Sequence, residues 1–97
     1  MKVRYRERAL ADLDEISGYL TQRSPTGARN VLKAIHVAVA DIAAHPQSAR
    51  RTSDPSVRVK IVGRYRYQIF YSVEVDSVEI LHVRHGARRP WVPAQQS

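Results

Sequence analysis

The chain has no cysteine, so it can form neither a disulfide framework nor a thiolate metal site. That composition fits a reducing compartment and sets the expectation of a cytoplasmic protein. Long apolar runs are missing as well. None approaches the roughly 18 residues of a membrane span, so no membrane partner is expected. The opening MKVRYRERAL lacks the apolar core of a signal peptide. Glycine is scarce and scattered, at positions 18, 27, 63 and 86, which leaves no glycine-rich loop to cradle a phosphate. No Ser-His-Asp or Cys-His arrangement can be built from the spacing, and there is no internal repeat or low-complexity tract.

Acidic residues are in the minority, nine against sixteen Lys and Arg, for a net charge of +7 and a pI near 10.4. Such a balance suits nucleic acid, the ribosome or an acidic protein partner, with a merely solvated surface as the alternative. The remaining composition is ordinary for a globular protein, 43% hydrophobic and 26% charged. At 97 residues the chain fits one domain, and a domain of that size buries roughly 65% of its unfolded surface.

The densest pattern lies between Val57 and Arg88. VRVKIV, RYRYQIFYSVEV and VEILHVRHGAR are rich in β-branched and aromatic residues, as strands prefer. Gly63, free to take positive φ, and Asp76-Ser77 mark the reversals between them. Connections this short predict an antiparallel meander. Alternation sets Tyr65, Tyr67, Ile69 and Tyr71 on a core face, and Arg64, Arg66 and Gln68 on the opposite one. It separates Val57, Val59 and Ile61 from Arg58 and Lys60 in the same way. One side of the sheet is therefore expected to meet a core, and the other to display cations.

Ahead of the meander, Lys2–Arg6 alternates like a short strand joining the sheet. From Glu7 the period becomes helical. Leu10, Leu13, Ile16 and Leu20 form the inner stripe, with Asp12, Asp14 and Glu15 outside, to an end near Arg23. Ser24-Pro25 caps and opens a second helix. It runs to about Ala44 with Ala28, Val31, Leu32, Ile35, Val39 and Ile42 inward, and Pro46 stops it. So short a joint forces an antiparallel helical hairpin. Residues 47–56 read as a polar, mobile loop, and the prolines at 90 and 93 predict a tail over residues 90–97 after a domain of residues 1–89. The expected architecture is β-α-α-β-β-β, an α+β domain with the helical hairpin packed on one face of a curled antiparallel sheet.

His82 and His85 stand three apart in a strand and so face opposite ways. His36 and His45 belong to the second helix and its end. No metal or other cofactor is expected. Arg84 and Arg88 carry planar forks suited to phosphates and carboxylates, or else form a solvated strand end. Trp91 is a large aromatic on a proline-bounded tail, suited to anchor a partner or to fold back over the sheet edge.

Five pieces, taken in order, resemble one known family. They are Ala9-x-x-Asp12-Leu13-x-x-Ile16-x-x-Tyr19, Pro25-x-x-Ala28, His45-Pro46, Tyr67-x-Ile69-x-Tyr71, and Ile80-Leu81-His82-Val83-Arg84-His85-Gly86-Ala87-Arg88. Across residues 3–89 the chain is similar to toxins of the RelE/ParE superfamily from bacterial type II toxin–antitoxin systems. The resemblance implies a cognate antitoxin, a ParD-like ribbon-helix-helix protein that wraps the toxin with its C-terminal segment. It also implies that DNA is contacted only through that complex. Leu10, Leu13 and Tyr19 on the first helix, with Arg58, Lys60 and Tyr71 on the sheet, are the corresponding candidate antitoxin contacts.

The His85-Gly86-Ala87-Arg88 ending is similar to the ParE branch, which inhibits DNA gyrase. Under that reading Arg64, Arg66, Arg84, His85, Arg88 and Trp91 are the target contacts, and no residue is catalytic. The RelE branch instead cleaves messenger RNA on the ribosome. Cleavage at a 2′-hydroxyl needs a base, an acid and cations around the phosphate. Arg58, Lys60, Arg64 and Arg66 would supply the cations and His85 the titrating group. No tyrosine follows Arg88 to add a phenol. A relative that has lost toxicity and serves as an immunity or regulatory module is the third class.

Overall fold

The computed structural model describes residues 1–87, which form a helical hairpin on one face of an open five-stranded sheet. Arg88, Trp91 and the expected tail lie outside the described residues. The elements are β1 (Lys2–Tyr5), α1 (Glu7–Arg23), α2 (Pro25–Ala44), β2 (Arg50–Arg51), β3 (Arg58–Val62), β4 (Tyr67–Val73) and β5 (Ser77–His85). Both helices begin and end where the sequence signals put them. Ser24 caps α2 by accepting from Gly27 N at 3.1 Å, ahead of Pro25 in the first turn.

The α+β class and the hairpin-on-sheet layout are as expected, but the sheet is mixed and uncurled, not a curled antiparallel one. Its order is β1-β5-β4-β3-β2, and β1 runs parallel to β5 while every other pair is antiparallel. The meander's short turns govern only β3 to β5. β1 reaches its neighbour after both helices and the whole meander, a connection long enough for a parallel pair. The expected loop is also more ordered than its composition suggested. It contains β2 and a turn in which Asp54 accepts from the Ser56 amide and hydroxyl, at 2.9 and 2.7 Å.

Two further expectations fail on which way side chains point. Arg58, Lys60 and Val62 pair with Tyr71, Ile69 and Tyr67, and partners in an antiparallel ladder share a face. The cations of β3 therefore look toward the helices. Val57 and Val59 join Phe70 and Leu81 in a separate cluster on the far side. On α1, Leu10 is 53% exposed, and the inward stripe runs instead Ala9, Leu13, Ile16, Leu20. That series has the same three-and-four spacing, begun one residue earlier.

Arg64 and Arg66 do not belong to a strand. They occupy the reversal between β3 and β4, and the positive φ expected of Gly63 falls on Arg66, at 59°. Arg66 in that conformation turns its carbonyl to accept the Gly86 amide at 2.7 Å. A Cβ on Gly86 would come within 2.9 Å of the same carbonyl oxygen. Gly86→Ala is thus expected to cost about 1–3 kcal/mol by forcing the end of β5 off the turn. A urea titration checks this, and an unchanged midpoint would refute the close approach.

Candidate functional site

A groove of about 800 Å³ lies between α1 and the β4–β5 strands. Ile16, Leu20 and Val83 give it an apolar floor, while Arg8, Tyr19, Arg84 and His85 stand around it. Tyr19 is 55% exposed, with the Arg23 guanidinium 4.5 Å from its ring centroid. Tyr67 meets His85 edge to face at 5.1 Å, and His85 Nδ1 accepts the Ala87 amide at 3.1 Å. His85 is thus a strand-end hydrogen-bonding residue and a groove wall at once.

At one end of this groove is a buried polar seam. Asp12 Oδ2 meets His82 Nδ1 at 2.6 Å and accepts the Val83 amide at 2.9 Å. Arg8 Nη2 lies 3.4 Å from His82 Nε2. The seam exists because the strand ladder slips by one residue here. Phe70 pairs with His82 and Tyr71 with Ile80, so Leu81 is the extra residue of a bulge. His82 then stacks against Phe70 at 6.0 Å and still reaches Asp12 on the helix. Burial lowers the His82 pKa from its ordinary 6.5. Asp12 pulls it back up, and Arg8 and Arg84 add to the lowering.

Arg8 also borders a second cleft, of about 630 Å³, with Arg6, Arg51, Val57 and Leu81. Arg6, which also lines this cleft, is ion-paired with Glu79 at 2.7 Å.

The sequence-derived candidates separate in space. Arg58 spends its guanidinium on the Gln47 and Ala49 carbonyls, at 3.0 and 2.8 Å, and on Gln47 Oε1 at 2.7 Å. Lys60 is ion-paired with Asp41 of α2, and this holds the Asp41 carboxyl below its ordinary range. Tyr71 is wholly buried and donates to the Pro46 carbonyl at 2.7 Å. As an antitoxin contact, Tyr71 is therefore corrected to an internal role, whereas Arg58 and Lys60 make internal bonds and stay half-exposed. Leu13 packs against the core, whereas Leu10 and Tyr19 are exposed. Arg64 and Arg66 are exposed on their turn, Arg64 with its guanidinium 5.8 Å from the Tyr65 ring.

The structure also joins what sequence reasoning kept apart. Tyr19, assigned to the antitoxin, and Arg84 and His85, assigned to the target, line one groove. Asp12 was placed on the exposed side of its helix and is instead half-buried in the seam. Its contact with His82 spans 70 residues of chain, a separation for which periodicity carries no signal. Among the described residues, no three His, Cys, Asp or Glu side chains gather in a metal-binding group.

A helical hairpin laid over one face of an open mixed sheet, with a groove along α1, defines the fold class. A chain of the chromosomal ParDE TA system from P. aeruginosa has the same fold, with a TM-score of 0.75, 24% identity, and coverage of 88% of this chain and 95% of that one. The family model for the ParE toxin of type II toxin-antitoxin system, parDE, matches residues 3–90, and the chain belongs to that family. It is 37% identical to Y4kP of Sinorhizobium fredii over 90 residues, 93% of this chain and 92% of the relative. It is also 33% identical to Toxin RelE2 of Caulobacter vibrioides over 81 residues, 84% and 90% of the two chains. It is a ParE-like toxin of a type II toxin–antitoxin system.

Proposed function

We propose that the protein acts in the cytoplasm by binding DNA gyrase and trapping it on cleaved DNA. A ParD-like antitoxin, a ribbon-helix-helix protein with a wrapping C-terminal segment, silences it. Its family membership supports this reading, and so does the placement of the cations. Arg58 and Lys60 are committed to Gln47, Ala49 and Asp41, Arg64 and Arg66 sit on the β3–β4 turn, and His85 stands in the groove. An RNA-cleaving site would need these groups converging on one phosphate. A binding protein needs only an accessible, cationic, partly apolar surface, which Tyr19, Arg84 and His85 supply around the groove.

Purified toxin added to gyrase, ATP and relaxed plasmid is expected to abolish supercoiling and to leave linear plasmid after detergent and protease. Purified antitoxin should restore supercoiling. Supercoiling that persists at every toxin concentration overturns the proposal.

The similarity to Toxin RelE2 supports a second reading, a ribosome-dependent messenger endonuclease. Translating ribosomes separate the two. Messenger cut by the wild type and spared by His85→Ala would establish the endonuclease instead.

A further inference from the structure

Two arginines oppose each other in the shortest strand pairing of the sheet. Arg51 of β2 is the ladder partner of Arg58 of β3. Residues directly opposite in an antiparallel pair share a face with Cβ atoms about 4.5–5.5 Å apart, and like charges placed there destabilise the pair. No carboxylate offsets that cost. Arg58 donates only to neutral oxygens, the Gln47 and Ala49 carbonyls and the Gln47 side-chain amide. Arg51 is exposed and has no bonded partner among the described residues.

The neighbouring acids are committed elsewhere. Asp54 accepts from the Ser56 hydroxyl and amide, and these bonds lower its pKa with no share from an arginine. Glu79 is paired with Arg6, and Asp41 with Lys60.

We propose that the Arg51–Arg58 pair is an anion site that takes a carboxylate from an acidic, partly apolar peptide segment of a partner.

Two planar forks on one face can both donate to a single carboxylate, whose charge turns their repulsion into two attractions. The surroundings select the source of that anion. Arg51 and Arg58 line the cleft of about 630 Å³ together with Pro55, Val57, Val73 and Leu81. An apolar side chain beside the carboxylate has aliphatic surface to bury there. Glu74, on the same lining, repels a run of acids and so favours a segment in which acidic and apolar residues alternate. Single-stranded nucleic acid would bring phosphates too, but its bases bind by stacking on aromatic rings, and the described lining holds none. The site belongs to the toxin alone and does not depend on whether the target is gyrase or the ribosome.

The test is NMR of the labelled full-length chain with a short peptide of alternating glutamate and leucine, and its glutamine–leucine counterpart as control. The glutamate peptide should shift the Arg51 and Arg58 side-chain signals together with the Val57 and Leu81 methyls, and the glutamine peptide should not. Arg51→Gln should weaken binding about tenfold, the loss of one charge-assisted hydrogen bond. The same substitution should raise the urea midpoint of the free chain, because it removes the repulsion from the ladder. A purely structural arginine would lower that midpoint instead. Equal response to both peptides or to neither, undiminished binding by Arg51→Gln, or a lowered midpoint in that variant would each overturn the site. So would a single-stranded oligonucleotide that shifts the arginine signals where the glutamate peptide does not.

Discussion

Replacing Tyr71 with alanine is expected to cost about 3–5 kcal/mol, the range for emptying a buried aromatic site. Small domains hold only about 5–15 kcal/mol in total, so this one change consumes a large part of the fold's stability. Tyr71 is fully buried within the main cluster, among Ile42, Ile69, Val78 and Ile80, which are likewise sealed. Its ring fills the space between the sheet and the C-terminal end of α2, and its hydroxyl closes on the Pro46 carbonyl just past that helix. The cavity left by alanine would face a helix end that cannot collapse without losing the Pro46 turn. Tyr71→Phe keeps the ring and removes only the hydroxyl, so its expected cost is about 1 kcal/mol. Urea denaturation with an unchanged m-value separates the two variants by their midpoints. A partner-facing tyrosine, as the sequence pattern suggested, behaves the opposite way. Tyr71→Ala would leave the midpoint in place and weaken antitoxin binding alone.

Tyr71 also shows where sequence patterning succeeds and where it stops. Alternation correctly put Tyr67, Ile69 and Tyr71 on one face, because period two is a property of the pleat itself. The helix limits were legible because Ser24, Pro25 and Pro46 act through local geometry, a cap, a fixed φ and a missing donor. The orientation of β3 was not. Val57, Val59 and Ile61 are as good an inward set as Arg58, Lys60 and Val62 are a poor one, and only pairing to β4 decides between them. That pairing sends Lys60 to Asp41 of α2 and Arg58 to Gln47 and Ala49 in the connection after it. Val57 and Val59 are left to a small cluster with Phe70 on the far side. The groove was half legible. Tyr19, Arg84 and His85 were each singled out, but their common site depends on how α1 docks beside β5. The seam was illegible, since a bulge at Leu81 and a contact across 70 residues leave no periodic trace.

The second large effect lies in that seam. Asp12→Ala is expected to cost about 2–4 kcal/mol, because it strands two donors inside the protein. Asp12 Oδ2 serves both the Val83 amide and His82 Nδ1, and the His82 side chain is only 8% exposed, so water cannot replace both bonds. Asp12→Asn keeps an acceptor oxygen at the same place and should recover most of the loss. The pair is further resolved by Asp12→Ala combined with His82→Phe. Removing both members leaves one donor stranded instead of two, so the double variant should cost clearly less than the sum of the singles. Strict additivity would contradict a direct bond. So would an Asp12→Ala cost within about 0.5 kcal/mol, the figure for a solvated helix carboxylate. The pH dependence follows with a definite sign. Folding lowers the His82 pKa, so the unfolded chain binds the extra proton more readily. The stability contributed by neutral His82 is therefore complete above pH 6.5 and is lost as the pH falls toward its folded value. In His82→Phe that part of the acid slope should vanish. The slope below pH 4 should remain, because it belongs to carboxylates such as Asp41, whose pairing with Lys60 is lost on protonation.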